Sequence, residues 1–202
     1  MAMLPRTMES VIASELEPGY LAHPASGAHP GVVILHDVWG LSEHYRDLAR
    51  RLAADGFSVL AMNLYQSHPD AKITDPGRWI RGLSDPQAID DMQSAVDFLA
   101  AHASVGRRRV GIIGFCMGGT YAIHAAAGCR GLSAAVALYG MLSHEHGLLA
   151  PQPGETLDPL RKPRSPLEAA REVRCPLLGC FGADDPYIPT EDVARLDQEL
   201  DA

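Results

Sequence analysis

Arg109-Val110-Gly111-Ile112-Ile113-Gly114-Phe115-Cys116-Met117-Gly118-Gly119-Thr120-Tyr121-Ala122-Ile123-His124-Ala125 is the stretch that decides the fold. Val110, Ile112 and Ile113 read as a buried strand, and the Ala-rich end reads as a helix. Between them Gly114-Phe115-Cys116-Met117-Gly118 sets a thiol at the apex of a sharp strand-to-helix turn, with glycine two positions to either side. Such a nucleophile elbow strains the apex backbone, and strand and helix approach closely only where neighbouring side chains are nearly absent. The apex is expected over the carboxyl edge of a sheet. The N–H groups and positive end of the following helix would then face the sulfur, which favours thiolate over thiol. A buried structural cysteine is the competing reading. A dinucleotide loop is not, because the glycines at 111, 114, 118 and 119 do not spell G-x-G-x-x-G and no acidic residue follows a second strand at the required distance.

Upstream of the elbow, Gly31-Val32-Val33-Ile34-Leu35-His36 is continuously apolar, as a parallel strand covered on both faces should be. A helix over Ser42–Asp55, closed by Gly56, and a strand over Phe57–Met62 complete a βαβ unit. A strand pair is expected around Ser10–Ala22. Tyr65–Leu83 is polar and turn-rich, and the helix after it starts at Asp85-Pro86, with Asp85 as cap and Ile89, Met92, Val96 and Leu99 at helical spacing. Downstream, the pattern predicts a strand at Ala134–Tyr139, a Pro-rich loop over Ser143–Ser165 and a short helix at Pro166–Glu172. A strand at Cys175–Phe181 and a helix over Thr190–Ala202 capped by Thr190 follow. This alternation predicts one α/β domain over residues 1–202, a doubly wound, mostly parallel sheet with its chemistry at the carboxyl ends of the strands.

The 202 residues suffice for a full core without disulfides or a structural metal. With 17 basic and 25 acidic residues, a net charge of -8 and no basic stripe, nucleic acid is not an expected partner. Cys116, Cys129, Cys175 and Cys180 fit no zinc spacing, and Met1–Ser14 lacks the pattern of a secretory leader. Val110–Gly128 is long enough for a membrane span, but five glycines and His124 read better as strand, elbow and buried helix. A cytoplasmic protein with reduced thiols, no membrane partner, no metal and no cofactor is therefore expected.

In α/β-hydrolases the catalytic order is nucleophile, acid, histidine, and the acid is expected after a late strand, here within Gly182-Ala183-Asp184-Asp185-Pro186-Tyr187-Ile188-Pro189. With these residues in place, the chain resembles the dienelactone hydrolase family, the carboxymethylenebutenolidase-like branch of that fold. The resemblance runs through Pro30–Gly40, Asn63-Leu64-Tyr65, the elbow, Tyr139-Gly140 and Gly182-x-x-Asp185-x-x-x-Pro189. It implies Cys116 as nucleophile, Asp185 rather than Asp184 as the acid, and the N–H groups of Val38 and Met117 as the oxyanion hole. Asp37 takes the place of an acid that modulates the resting thiol, normally Glu, and is one methylene shorter. The family's substrate carboxylate is met by arginine, for which Arg78 or Arg81 is available, and Trp39 and Tyr139 are expected to line the pocket. The implied reaction is hydrolysis of a small ester or lactone through an acyl-enzyme; a non-catalytic binding module is the alternative.

One feature of the family is not matched. Its histidine lies about thirty residues past the acid, whereas 17 residues follow Asp185 and none is His. The reading is of a chain short of a C-terminal strand, a helix and the general base, with His144 or His146 as less economical substitutes. Such a chain is expected to leave Cys175–Phe181 as a sheet edge and to self-associate through it.

Overall fold

The uninterrupted apolar runs of the sequence form the middle of the sheet. In the computed structural model, which describes residues 11–68 and 72–201, the strands are β1 (Val11–Leu16), β2 (Gly19–Pro24), β3 (Gly31–Leu35), β4 (Ser58–Met62), β5 (Val110–Phe115), β6 (Leu132–Leu138) and β7 (Leu177–Cys180). The helices are α1 (Glu43–Ala54), α2 (Pro76–Gly82), α3 (Asp85–Ala101), α4 (Met117–Gly128), α5 (Pro166–Ala170) and α6 (Thr190–Leu200). Met1–Ser10, on which most of the leader reading rests, residues 69–71 and Ala202 lie outside the described residues.

The strand order is β1-β2-β4-β3-β5-β6-β7. β1 and β2 are antiparallel additions, and β4, β3, β5, β6 and β7 run parallel. Alternation along each strand divides the core in two. Ile34, Val59 and Ala61 pack beneath α1 against Tyr45, Ala49 and Ala53. Val33, Leu35, Leu60, Met62 and Ile112 face the opposite way, toward α3 and α4. The chain is thus the expected α/β sheet with helices on both faces. No helix among the described residues is long and apolar enough to cross a membrane.

Several local expectations change. The polar stretch before Leu83 contains α2, started by Asp75, whose carboxylate accepts from the Arg78 N–H, and by Pro76. Ser84, not Asp85, caps α3, its hydroxyl accepting from Gln87 N–H. Pro189 takes the cap position of α6 and Thr190 is its first helical residue.

Freed from capping, Asp85 turns inward. Its Oδ1 receives Lys162 Nζ at 2.5 Å and the Tyr121 hydroxyl at 2.9 Å, and its Oδ2 faces His124 Nε2 at 3.9 Å. All four side chains are buried. Burial holds the His124 imidazole down at about 4, hence neutral, while Asp85 keeps company with the Lys162 ammonium. This knot ties the loop ahead of α5 to α3 and α4 across 77 residues.

Among the described residues β7 is a sheet edge, and Leu178 on it is 58% exposed. On the face shared with α1, an apolar groove of about 340 Å³ is lined by Val32, Leu52, Phe57, Ile113 and Val136. Unpaired backbone groups beside exposed leucine favour strand-to-strand pairing between copies. We expect the 202-residue chain to self-associate in light scattering, and Leu178→Lys to reduce it; a monodisperse monomer at high concentration would refute this.

Candidate active site

β5 delivers the chain between β3 and β6 directly into α4, with Cys116 at the junction. Its backbone has φ 54° and ψ -116°, outside the regions open to L-residues without strain. That conformation is held from both sides: Cys116 N–H donates to Leu138 O at 3.0 Å and Cys116 O accepts from Thr120 N–H at 3.1 Å. Close packing explains the glycines. A methyl group on Gly114 would collide with the Gly118 carbonyl, and one on Gly118 with the carbonyls of Leu35 and His36.

The loop leaving β3 lies alongside. The Asp37 carboxylate accepts from the Trp39 N–H at 2.8 Å, closing a tight turn, and the Asp37 N–H donates to Tyr45 Oη at 3.0 Å. Asp37 therefore shapes its own loop; α1 begins later, after Ser42. The Tyr65 hydroxyl donates to Val38 O at 2.8 Å and touches Met117 Sδ at 3.1 Å, locking this loop to the elbow helix.

These elements converge on one sulfur. The backbone N–H groups of Met117 and Val38 lie close enough to Cys116 to favour its thiolate, and the carboxylates of Asp37 and Asp185 lie near enough for their charges to oppose it. Asp185 is half-buried, its Oδ1 accepting from Tyr187 N–H at 2.9 Å, whereas Asp184 is exposed. The net effect runs against the expected thiolate. Burial pushes the Cys116 thiol up, and the two carboxylates add to this, outweighing the N–H donors. The N–H groups at the helix end do favour thiolate, but by less than burial and the carboxylates disfavour it. Cys180, on the edge strand, is the exposed cysteine.

Comparison with known proteins gives the same arrangement a lineage. Residues 18–202 match the model of the dienelactone hydrolase family. The chain belongs to that family. It is 31% identical over 192 residues to the "Putative carboxymethylenebutenolidase" of Yersinia pestis, covering 92% of this chain and 67% of that protein. It is 29% identical to the "Probable 2-oxo-3-(5-oxofuran-2-ylidene)propanoate lactonase" of Bradyrhizobium sp, covering 90% and 70%. A Klebsiella pneumoniae crystal structure titled as a putative dienelactone hydrolase superposes with TM-score 0.79 at 30% identity, over 95% of this chain and 80% of that one.

Within this dienelactone hydrolase family chain, the expected substrate contacts divide. Trp39 is 64% exposed and Tyr139 46% exposed, each on a loop at a strand's carboxyl end. Tyr139 has φ 42°, and its phenol feels the charges of Cys116 and Asp37, so it stands at the site's mouth. Arg81 does not serve as a free clamp. It is 8% exposed, its guanidinium donating to Leu148 O at 3.0 Å and pairing with Glu155 at 2.8 Å, because the short helix α2 points it back into the protein. Arg78 is exposed. Among the described residues, no group of three or more His, Cys, Asp or Glu could hold a metal.

Of the two weighed histidines, His146 is paired elsewhere. His146 Nδ1 lies 3.0 Å from the buried carboxylate of Asp192, which also accepts from Ser143 Oγ at 2.8 Å. His144 feels the charges of Asp85, Lys162 and Glu168, and its Nε2 is buried without a hydrogen-bond partner among the described residues. His36, just past the end of β3, is fully buried and held down at about 4 by that burial.

His36 and His124 both stay neutral in the folded chain. The unfolded chain takes up their protons near the ordinary histidine value of about 6.5. Stability is then complete above that value and is lost as pH falls toward 4, where the folded imidazoles also charge. Urea midpoints should drop steadily from pH 7 to 4.5. A midpoint unchanged over that range would contradict the assignment.

Proposed function

We propose that the chain hydrolyses small esters or lactones with Cys116 as the nucleophile. The observation that carries the reading is the convergence of two backbone N–H groups and two carboxylates on a strained cysteine. In the first step the sulfur forms a bond to the substrate carbonyl carbon while the thiol proton passes to Asp37, the shorter acid of this family position. The carbonyl oxygen becomes an oxyanion held by the N–H groups of Val38 and Met117. Collapse of that intermediate breaks the bond to the alkoxy group, which leaves with the proton from Asp37, and a thioester remains. Water adds to the thioester, its proton returns to sulfur, and the acid product departs. Asp185 serves as the acid of the site, while Trp39 and Tyr139 form its rim. Four free cysteines suit a reducing compartment, so the place of action is the cytoplasm.

Acyl trapping tests the mechanism. Incubation with p-nitrophenyl acetate should add one acetyl group, mapped by mass spectrometry to the peptide bearing Cys116 and absent from the Cys116→Ala variant. Substrate binding without any acyl adduct at Cys116 would replace the enzyme reading with a binding module.

A further inference from the structure

The peptide joining Asp37 to Val38 lies between the buried His36 ring and the elbow cysteine. Its N–H, from Val38, lies close enough to the Cys116 sulfur to favour the thiolate. Its carbonyl oxygen, from Asp37, lies 2.6 Å from Nδ1 of His36. The other ring nitrogen decides which way that bond runs. Nε2 stands 3.0 Å from the Leu64 N–H, which can only donate, so Nε2 accepts and the ring proton belongs to Nδ1. His36 therefore donates to Asp37 O.

An amide whose oxygen accepts a hydrogen bond is polarised, and its N–H becomes the stronger donor. The ring that polarises this amide is held by contacts on several sides. Tyr65 meets it edge-on with centroids 4.8 Å apart, Tyr45 lies at 6.3 Å, and Leu64 fixes its far nitrogen. The ring thereby bridges the ends of β3 and β4, and its orientation sets the plane of the Asp37–Val38 peptide.

We propose that His36 is a positioning residue of the oxyanion site, its Nδ1–H fixing and polarising the Asp37–Val38 peptide so that Val38 N–H donates more strongly to the sulfur and to the developing oxyanion. The inference rests on Cys116 as nucleophile. Burial keeps the imidazole uncharged at neutral pH, so the donor tautomer persists under working conditions.

Two amide variants separate this role from simple loop bracing. Asparagine can set its N–H where Nδ1 stands and so keeps the bond to Asp37 O; glutamine reaches the Nε2 position and keeps the bond from Leu64 N–H. The measurements are the pH dependence of iodoacetamide labelling at the Cys116 peptide and the Val38 amide proton shift by NMR. In His36→Gln the labelling curve should move to higher pH, the Val38 proton should move upfield, and kcat should fall about tenfold with KM little changed, a fraction of the loss of a whole oxyanion donor. His36→Asn should restore all three. A His36→Gln protein with the parent's labelling curve and Val38 shift would overturn the proposal, as would His36→Asn behaving like His36→Gln. If His36→Asn does not fold, His36→Gln alone decides by the same criterion. Should Cys116→Ala retain turnover, the nucleophile reading fails separately, and the Val38 shift still judges His36.

Discussion

Cys116→Ala is expected to lower turnover of an activated ester by on the order of 10⁴-fold or more, with circular dichroism and the urea midpoint close to those of the parent. The reason is chemical: alanine removes the only atom at the elbow able to form the acyl bond. The change is small in volume at a half-buried position, so the fold should tolerate it. Val38 and Met117 keep their N–H groups, so a slow residual hydrolysis by water in the oxyanion site should remain. Cys116→Ser should also be severely impaired, since a hydroxyl is a far weaker acid than a thiol and Asp37 cannot take its proton effectively. Turnover of Cys116→Ala within tenfold of the parent would place the chemistry on another residue.

Lys162→Met should destabilise the protein by about 3–5 kcal/mol, the cost of leaving a buried carboxylate without its counter-charge. Asp85 then retains the Tyr121 hydroxyl and a neutral His124 at 3.9 Å, and must either stay charged without a cation or take up a proton. Urea unfolding measures the loss directly, and at this chain length melting should fall by roughly 10 °C or more. The double variant Asp85→Leu with Lys162→Met should recover much of the loss, because the charge that needed a partner is gone. If Lys162→Met unfolds within 1 kcal/mol of the parent, the knot is not a structural tie.

The elbow and its neighbourhood were readable because each rests on short-range geometry. Glycines at 114 and 118 can be recognised from their spacing to Cys116, and the apolar runs of β3, β4 and β5 announce a covered parallel sheet. The grouping of Val38, Met117, Asp37 and Asp185 about the sulfur was not legible from local spacing and came from the family resemblance. Asp85 was misread because a helix-capping residue and a buried acid look alike locally; its partner Lys162 lies 77 residues away. Arg81 failed for a similar reason, since Glu155 and Leu148 come from a loop with no periodicity to place it. The protonation of Cys116 was out of reach of motif reasoning altogether. It depends on a balance between burial, two carboxylates and two N–H groups that only coordinates supply.

That balance bears on how long the protein lasts. Peroxide and stray electrophiles attack thiolate far faster than thiol, and each oxidation past the sulfenic stage is irreversible without a dedicated repair enzyme. With its thiol pushed up by burial and by the charges of Asp37 and Asp185, the Cys116 sulfur carries less thiolate than an exposed cysteine. Oxidation and stray alkylation at this position are slowed in proportion to that smaller thiolate fraction.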